Sequence, residues 1–558
     1  MKNSFDLVVI GGGSAGFGAI VKASELGASV ALIENGETGG TGVNVGSVPS
    51  KRMLAVGDAN YYGNHLCRGV TLSANQPNMA KIVGEKDQLV QDLRTRKYLR
   101  ILEDLPGLEL VKGTAQFVSR TTLKVNDKEI HGRNFVIASG SFPRIPGYKG
   151  TRIVDYLTNA EALNQHTRPN TLLIIGGRAL ALEFAQMYAH FGTRVTLLQR
   201  SKKIIPNEEP EISDSLLRYL QEEEIEINTD VRIKEIRNRG QLKAVSAIHR
   251  GRVREYVGDE LLMATGRSPN IRELGLQRIG VKTRVDGSVV VNEEMQTSVP
   301  NIWAAGDVVG GQMLETVAAK GGSIAAHNAI IKPKRKMDVR SVPHAIFTTP
   351  QVASVGLTDV QAHKAGVQHS CRLLHMSDVP KAQIIGDTRG LVKLVIEDKT
   401  RRIIGVHILA SLAAEMIHEG VMAVKFNLTI DDLVDMVHVF PTMSEAIQLT
   451  AQSFYRDVND IMTPAEDTSN CLPPDAAKMN VNPNKGDLDC ILCGKVMYYD
   501  KNMVVYVCLN KSHGVLAYYA VDDCYFTSRE QIGVQFLKEG RKFHMLQPEV
   551  MAMMGVAP

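Results

Sequence analysis

The chain has 558 residues, of which 44% are hydrophobic and 22% charged, a composition typical of globular proteins and a length that suggests about three or four domains. The formal net charge of +4 gives no reason to expect nucleic-acid binding. No apolar run reaches the roughly 18 residues of a membrane span. A strand pattern begins at Asp6, which leaves no room for a signal peptide. We therefore expect a cytoplasmic protein with no membrane segment.

The first predicted elements are a strand, a glycine-rich turn, a helix and a second strand. Residues 6–17 read DLVVIGGGSAGF, and the next apolar run ends at Glu34. In this context Gly11 makes the tight turn, Gly13 lets the backbone approach a pyrophosphate, and Gly16 lets the helix pack on the strand. Glu34 is placed to accept a hydrogen bond from a ribose hydroxyl. The pattern predicts a dinucleotide site at a helix N-terminus.

Residues 39–53 read GGTGVNVGSVPSKRM. Such a loop of glycines and small residues before a Pro-Ser-Lys sequence is typical of the start of a helix that carries two redox thiols. This stretch contains no cysteine. A serine hydroxyl and a glycine cannot be oxidised to a disulfide.

A second strand, turn and helix are predicted from TLLIIGGRALALE, residues 171–183. The fingerprint positions are Gly176, Arg178 and Ala181, so a plain βαβ unit remains the alternative. After the next strand comes QRSKK, residues 199–203, where an NAD site would have an acid. Arg200 suits a 2′-phosphate, which favours NADPH and leaves NADH open. The alternative here is a solvated turn.

Further strand ends and a new pattern follow. Strands predicted near residues 135–138, 261–264 and 302–305 end in small residues, the last before Asp307, where ligands collect at a sheet edge. Two nucleotide sites in one chain describe a flavin and nicotinamide enzyme. From residue 342 to about 457 the strands and helices form an α+β pattern. Residues 459–486 are polar and contain four prolines, which predicts a linker.

The ordered set of GGGSAG from Gly11, the GGTGVNVGSVPSK loop, ATGRSPN at 264–270, AAGD at 304–307 and PTMSE at 441–445 resembles the pyridine nucleotide-disulfide oxidoreductase family over residues 4 to about 457. Within that family the chain is most similar to the mercuric reductase branch. The resemblance implies an ion pair of Lys51 and Glu183 close to the flavin, with Ser47 at the thiol position facing it. It implies a homodimer in which the C-terminal helices of each subunit contribute to the active site of its partner. The cofactor-binding residues that we expect are Gly11, Gly13, Gly16, Glu34, Thr41, Gly176, Arg200, Gly266 and Asp307.

The expected fold class is α/β, with two Rossmann-type nucleotide-binding domains, an α+β dimerisation domain and a small C-terminal domain. The boundaries that we expect are 1–143 plus 263–335 for the FAD domain, 144–262 for the NAD(P)H domain, 336–457 for dimerisation, 458–486 for the linker and 487–558 for the small domain.

The residues that depart from the family pattern are those that carry its redox and acid–base chemistry. The family has cysteines at the positions of Gly42 and Ser47. Its histidine general base before a proline is replaced by Phe440, and mercuric reductases also lack that base. His438 lies two residues earlier between valines, which favours a packed histidine over a proton acceptor.

Five of the seven cysteines lie after residue 470, which favours a metal or redox tail over disulfides. Cys490 and Cys493 form a Cys-x-x-Cys-Gly turn that suits a soft metal ion or zinc. Cys508 and Cys524 are candidate further ligands, with His513 and His544 as alternatives. The segment weakly resembles metal-trafficking modules of the TRASH and YHS type and the NosL and alkylmercury lyase group.

Three functions remain open from the sequence. The first is an FAD-dependent reductase that oxidises NADPH and passes the electrons to a non-disulfide acceptor, such as a metal ion or a quinone. The second is a mercuric reductase-like enzyme in which the tail cysteines bind Hg(II). The third is a catalytically silent flavoprotein that serves as a metal-binding or sensor scaffold.

Overall fold

A computed structural model describes residues 3–65 and 77–455 and the backbone of four short strands beyond residue 487. The chain divides into two compact units, residues 1–349 and 350–558. The expected linker 458–486 lies outside the described residues. Within residues 3–65 and 77–455, no helix is long and apolar enough to cross a bilayer.

The first unit contains α-helices and a larger number of strands. Its strands are β1 (Ser4–Ile10), β2 (Val30–Glu34), β3 (Leu108–Lys112), β4 (Ala115–Ser119), β5 (Thr122–Val125), β6 (Lys128–Ile137), β7 (Ser141–Pro143), β8 (Thr171–Ile175), β9 (Arg194–Leu198), β10 (Glu226–Asn228), β11 (Arg232–Arg239), β12 (Leu242–His249), β13 (Arg252–Gly258), β14 (Glu260–Met263), β15 (Arg267–Pro269), β16 (Ile302–Ala304) and β17 (His344–Ile346). Its α-helices are α1 (Ser14–Glu25), α2 (Gly40–Asn44), α3 (Ser47–His65), α4 (Met79–Arg94), α5 (Arg100–Asp104), α6 (Asn159–Ala162), α7 (Ala179–His190), α8 (Pro210–Glu222), α9 (Leu276–Ile279) and α10 (Glu315–Ile330). A π-helical turn, Thr95–Leu99, joins α4 to α5.

The first sheet has the order β3-β2-β1-β6-β5-β4, with β16 also paired to β6. The pairs β3-β2, β2-β1, β1-β6 and β6-β16 are parallel. Strand β1 is almost wholly buried because helices and loops cover both faces, as is usual for parallel strands. Leu7 and Val9 pack with α1 and α10, while Val8 and Ile10 pack into the core on the opposite face.

The second sheet has the order β10-β9-β8-β14, and all three of its strand pairs are parallel. Helix α7 connects β8 to β9, so the strand, turn and helix expected at residues 171–183 are present. Strands β11, β12 and β13 form an antiparallel meander that packs on the same core as β8 and β14. The first sheet is mixed, because β5 pairs antiparallel with β4 and β6, but its parallel strands and the parallel second sheet confirm the expected α/β class.

The second unit begins with four antiparallel neighbours in the order β18-β21-β20-β19. Its strands are β18 (Gln351–Gly356), β19 (His369–His375), β20 (Leu391–Glu397), β21 (Ile403–Ala410), β22 (Leu488–Asp489), β23 (Val496–Asp500), β24 (Val505–Cys508) and β25 (Leu516–Tyr519). Its helices are α11 (Asp359–Lys364), α12 (Pro380–Ile385), α13 (Ala413–Phe426), α14 (Ile430–Asp435) and α15 (Glu445–Gln452). Strands β22 to β25 pair in sequence order, each antiparallel to the next.

Candidate active site

The turn between β1 and α1 is built from glycines that leave no room for side chains. Gly11 has φ of +105°, and a Cβ there would lie 2.4 Å from the Ala138 carbonyl oxygen. A Cβ on Gly16 would lie 1.9 Å from the Gly11 carbonyl oxygen. Gly13 is the N-cap residue of α1, and none of the described side chains caps this helix. The first amides of α1 therefore suit a phosphate anion.

Glu34 ends β2 and lies directly beside this turn. Its Oε2 accepts a hydrogen bond from the Gly12 amide at 2.6 Å, and its Oε1 accepts from the Gly36 amide at 2.7 Å. These two amides fix the carboxylate at the carboxyl edge of the sheet. Each oxygen has a further lone pair, so Glu34 can also accept from a ribose hydroxyl.

A polar network surrounds Asp307, which follows β16. The Ser141 hydroxyl donates to Asp307 Oδ2 at 2.5 Å, and Arg267 Nε lies 3.7 Å from the same oxygen. Arg267 Nη2 is 3.4 Å from Thr41 Oγ1. Burial lowers the pKa of Arg267, and the Asp307 charge opposes that shift. The network brings Thr41 and Asp307, far apart in sequence, to one site.

The second nucleotide turn keeps the glycine that its geometry needs. Gly176 has φ of +140°, and a Cβ there would lie 2.3 Å from the Ala264 carbonyl oxygen. Arg178 is exposed at the N-cap of α7, while Ala181 is buried inside the helix. Gly266 follows β14 with φ of +102°. The loss of two fingerprint glycines is therefore compatible with the βαβ geometry.

Arg200 lies two residues after the end of β9 and is exposed. Its amide donates to the side chain of the buried Gln199 at 3.1 Å. The neighbouring Lys202 is also exposed. Two cations thus border the carboxyl edge of the second sheet at the place where a nucleotide ribose is expected.

The loop at residues 39–53 folds as α2 followed by the start of α3 at Ser47, which confirms the predicted helix start. Gly40 packs against the first nucleotide turn, since a Cβ there would lie 2.6 Å from Gly13 Cα. The Ser47 hydroxyl donates to Glu315 Oε2 at 3.0 Å. A Cβ on Gly42 would lie 2.5 Å from that same Glu315 oxygen. One carboxylate therefore adjoins both positions that lack a thiol.

Helix α10 brings Glu315 to the loop because it packs unusually closely on α1. A Cβ on Gly18 would lie 2.2 Å from the Ala319 carbonyl oxygen, and one on Gly322 would lie 1.9 Å from the Ala15 carbonyl oxygen. These glycines let the two helix backbones touch. The first residue of α10 is then held beside the glycine turn and the start of α3.

Lys51 and Glu183 meet one helical turn beyond Ser47. Lys51 Nζ lies 2.6 Å from Glu183 Oε2 and 4.5 Å above the centre of the Phe347 ring. Glu183 Oε1 accepts from the Phe347 amide at 2.9 Å. The Glu183 side chain is 7% exposed and that of Lys51 is 30% exposed. A buried carboxylate thus orients a partly accessible ammonium group.

His438 lies in the second unit, and its side chain is hydrogen-bonded to Glu419. The residue that directly precedes Pro441 is Phe440. The His438 side chain is 8% exposed, and Nε2 lies 2.9 Å from Glu419 Oε1. This hydrogen bond raises the pKa of His438. The packed interpretation agrees with this geometry. Phe440, which stands at the family's base position, is exposed.

The sequence did not predict that Glu315 contacts Ser47 or that Phe347 contacts Glu183. Neither Glu315 nor Phe347 belongs to a motif, and each reaches the site from a distant part of the chain. Cys490, Cys493 and Cys524 lie outside the described residues. Cys508 ends β24, of which only the backbone is described. The proposed metal ligands therefore remain predictions.

A mixed sheet and a parallel sheet, each with a glycine turn at the carboxyl end of a parallel strand, and the Lys51–Glu183 pair between α3 and α7 define a flavin-dependent pyridine nucleotide oxidoreductase. Two family models match the sequence: pyridine nucleotide-disulphide oxidoreductase at residues 5–329 and the dimerisation domain of the same family at residues 342–451. The chain belongs to the pyridine nucleotide-disulphide oxidoreductase family. FAD and NAD(P)H are the cofactors of this family.

The relatives include mercuric reductases. That of Staphylococcus aureus is 39% identical over 82% of this chain and 84% of its own length. That of Streptomyces lividans is 39% identical over 81% of this chain and 97% of its own length. A solved structure, the Cu(II) complex of the HOCl-induced flavoprotein disulfide reductase RclA from Escherichia coli, is 28% identical with a TM-score of 0.73. It covers 81% of this chain and 99% of its own.

Proposed function

We propose that this protein oxidises NADPH through bound FAD and passes the electrons to an acceptor that is not a disulfide. The proposal divides the first unit into an FAD domain, residues 1–143 plus 263–335, and an NAD(P)H domain, residues 144–262. The observation that carries it is the Lys51–Glu183 pair, which is intact although the neighbouring thiols are replaced.

The glycine turn between β1 and α1 suits FAD for two reasons. Its glycines let the pyrophosphate of the cofactor approach the backbone, and the first amides of α1, which none of the described side chains caps, can donate hydrogen bonds to it. FAD supplies two-electron transfer from a nicotinamide to an acceptor. The protein residues that would hold it are Gly11, Gly13, Gly16, Glu34, Thr41, Gly266 and Asp307. Glu34 and Asp307 offer hydrogen-bond acceptors, while Arg267 fixes the orientation of Asp307.

The second turn would hold NADPH through Gly176 and Arg200. Arg200 is exposed at the edge where a 2′-phosphate would lie, and a guanidinium group binds phosphate oxygens in a bidentate manner. The Arg200→Glu variant should raise KM for NADPH and leave KM for NADH unchanged. Arg194→Glu is the matched control, since Arg194 is an exposed arginine at the opposite end of β9, and it should change neither KM. Equal effects on both nucleotides would contradict the assignment.

Lys51 would donate a hydrogen bond at the place where hydride arrives, with Glu183 holding its ammonium group in position. This role is positioning and electrostatic stabilisation. Gly42 and Ser47 remove the dithiol that would otherwise take the electrons, so we expect no disulfide reductase activity. The electrons must then leave the cofactor for an external acceptor.

A metal ion is a second candidate acceptor because relatives at 39% identity are named mercuric reductases. If the acceptor is a metal ion, Hg(II) would be bound by four cysteines, since soft ions select thiolates: Cys490, Cys493, Cys508 and Cys524. The variant with Cys490→Ser and Cys493→Ser tests whether these two residues are ligands. Unchanged Hg(II)-dependent oxidation of NADPH would exclude these two cysteines as ligands.

We also propose a homodimer formed through residues 336–457, most of which lie in the second unit. Several large apolar side chains there are highly exposed, among them Phe426, Val437, Val439 and Phe440. The last three lie within four residues of one another, and grouped exposed apolar side chains mark interaction sites. Val437→Asp should give a monomer in sedimentation analysis. A dimer that persists in this variant would place the interface elsewhere.

Anaerobic titration of the FAD-loaded protein with NADPH tests the main proposal. We expect the flavin absorbance to bleach without a thiolate-to-flavin charge-transfer band, because neither Gly42 nor Ser47 carries a thiol. Absence of bleaching would refute the oxidoreductase and favour a catalytically silent scaffold. A charge-transfer band would show that a thiolate from elsewhere reaches the flavin.

A further inference from the structure

Helix α11 and strand β19 of the second unit bring three potential metal ligands together. Asp359, His369 and Cys371 each offer one ligand atom, and these atoms all lie within 4.8 Å of one another. A carboxylate oxygen, an imidazole nitrogen and a cysteine sulfur are the three kinds of atom that bind zinc in proteins. The three residues belong to neither nucleotide turn, so the proposed function gives them no role.

The local structure explains why these side chains meet. His369 and Cys371 are two residues apart in β19, and side chains with this spacing in a strand point to the same face of the sheet. Helix α11 covers that face, since its Ala362 packs in one buried cluster with Cys371. Asp359 is the first residue of α11, whose start is fixed by a capping box. The ligands are therefore carried by two elements that pack directly on each other.

The hydrogen bonds of His369 assign the roles of its two ring nitrogens. Nδ1 lies 2.8 Å from the Val367 carbonyl oxygen, which can only accept, so Nδ1 carries a proton. Nε2 then faces Asp359 Oδ1 at 2.7 Å, and this carboxylate oxygen is an acceptor as well. Two acceptors at this distance need a proton or a metal ion between them. A metal-binding histidine commonly donates its other N–H to a backbone carbonyl, as His369 does.

We propose that Asp359, His369 and Cys371 bind one Zn(II) ion, with water as the fourth ligand. Bonds form from zinc to Asp359 Oδ1, His369 Nε2 and Cys371 Sγ, while the protons on Nε2 and Sγ pass to solvent. One dication thus replaces two protons, and the net charge of the group does not change. The buried ammonium of Lys393 lies 3.6 Å from Asp359 Oδ2, which leaves Oδ1 to the metal.

Small side-chain movements bring the three ligands to the spacing that zinc requires. At a tetrahedral zinc ion, ligands about 2.0–2.3 Å from the metal lie about 3.3–3.6 Å from one another. The contact of 2.7 Å between Asp359 and His369 must open slightly. The Asp359 side chain is 45% exposed, so it is able to rotate and to admit the water ligand. The bound ion joins α11 to β19 and stabilises the folded second unit.

Equilibrium dialysis of the FAD-loaded full chain against Zn(II) tests the inference. His369→Gln should bind one zinc ion fewer per chain than the wild type, because the affinity of the site should fall by more than the roughly 100-fold that the loss of an outer-shell partner costs at most. His375→Gln is the matched control, since His375 is the exposed last residue of the same strand. It should bind as much zinc as the wild type. Equal zinc binding by His369→Gln and the wild type would overturn the inference.

Cobalt(II) gives a second readout that reports on the sulfur ligand. A thiolate bound to Co(II) has a near-ultraviolet charge-transfer band, measured as the difference between spectra with and without the metal. Cys371→Ser should lose part of the wild-type band, whereas His375→Gln should retain all of it. Serine is close to cysteine in size, so this variant serves if His369→Gln does not fold. An unchanged band in Cys371→Ser would refute the site.

The zinc site and the proposed function can fail separately, because the three ligands belong to the second unit and the flavin site to the first. NADPH should reduce the flavin of His369→Gln at the wild-type rate. If NADPH leaves the wild-type flavin oxidised, the proposed function fails, while a difference in zinc binding between His369→Gln and His375→Gln still supports the metal site.

Discussion

Replacement of Lys51 by Met should lower the free energy of unfolding of the first unit. The size of the loss can be worked out from the contacts of Lys51 and Glu183. Loss of one partner from a buried ion pair costs about 3–5 kcal/mol. Lys51 is 30% exposed, and Glu183 keeps the Phe347 amide at one oxygen. We therefore expect about 1–3 kcal/mol, the range for a buried acceptor left without its donor. Met retains an apolar stem against the Phe347 ring.

Urea unfolding followed by tryptophan fluorescence measures this loss. Trp303 is the single tryptophan of the chain and is 2% exposed in β16, within the same unit. Lys51→Met combined with Glu183→Gln should recover much of the loss, because no buried charge remains unpaired. A double variant as unstable as Lys51→Met alone would refute this account. Stopped-flow reduction of the flavin by NADPH separately reports the positioning role.

Three further outcomes follow from the geometry. Gly16→Ala should yield protein with little bound flavin, measured by absorbance, because its Cβ would meet a carbonyl oxygen at 1.9 Å; a full flavin content would contradict this. The pair Gly42→Cys and Ser47→Cys should show two more reactive thiols with Ellman's reagent than the wild type, which has seven cysteines, and should form a disulfide only after Glu315→Ala is added. Burial lowers the pKa of His190, but the Asp58 carboxylate, 3.3 Å from Nδ1, and the hydrogen bond between Nε2 and Glu223 outweigh it, and the net pKa is raised. Its stabilisation should be complete below pH of about 6.5 and decline as pH rises through the raised pKa. Urea midpoints of His190→Gln should lack that decline.

Much of the fold could be predicted because its strands are continuous apolar runs. Strand β8 (Thr171–Ile175) and strand β14 (Glu260–Met263) end at the small residues that the sequence indicated. Helix α13 (Ala413–Phe426) lies in the α+β region expected between residue 342 and about 457. These are local signals, since burial on both faces requires an unbroken apolar segment. The meander β11 to β13 was not predicted, because its strands are largely exposed and polar.

The candidate site was predictable only where a residue lies in a recognisable motif. The pair of Lys51 and Glu183 was expected because the motifs around both residues resemble those of the pyridine nucleotide-disulfide oxidoreductases. Glu315 lies 268 residues from Ser47 along the chain. Its position depends on the contact between α1 and α10 at Gly18 and Gly322, and glycines inside helices have no unique meaning in a sequence.

Gly42 and Gly46, two of the four glycines in the loop at residues 39–53, are crowded by different kinds of atoms. A Cβ on Gly46 would lie 2.6 Å from the Thr41 carbonyl oxygen, so the backbone itself requires glycine there. Gly42 has no such constraint, because the atoms that crowd it belong to the movable side chain of Glu315. The glycine at 42 is therefore coupled to the carboxylate and not to the turn. Gly42 and Ser47 both adjoin Glu315, while Gly46 fits the turn that precedes α3, the helix on which Lys51 pairs with Glu183.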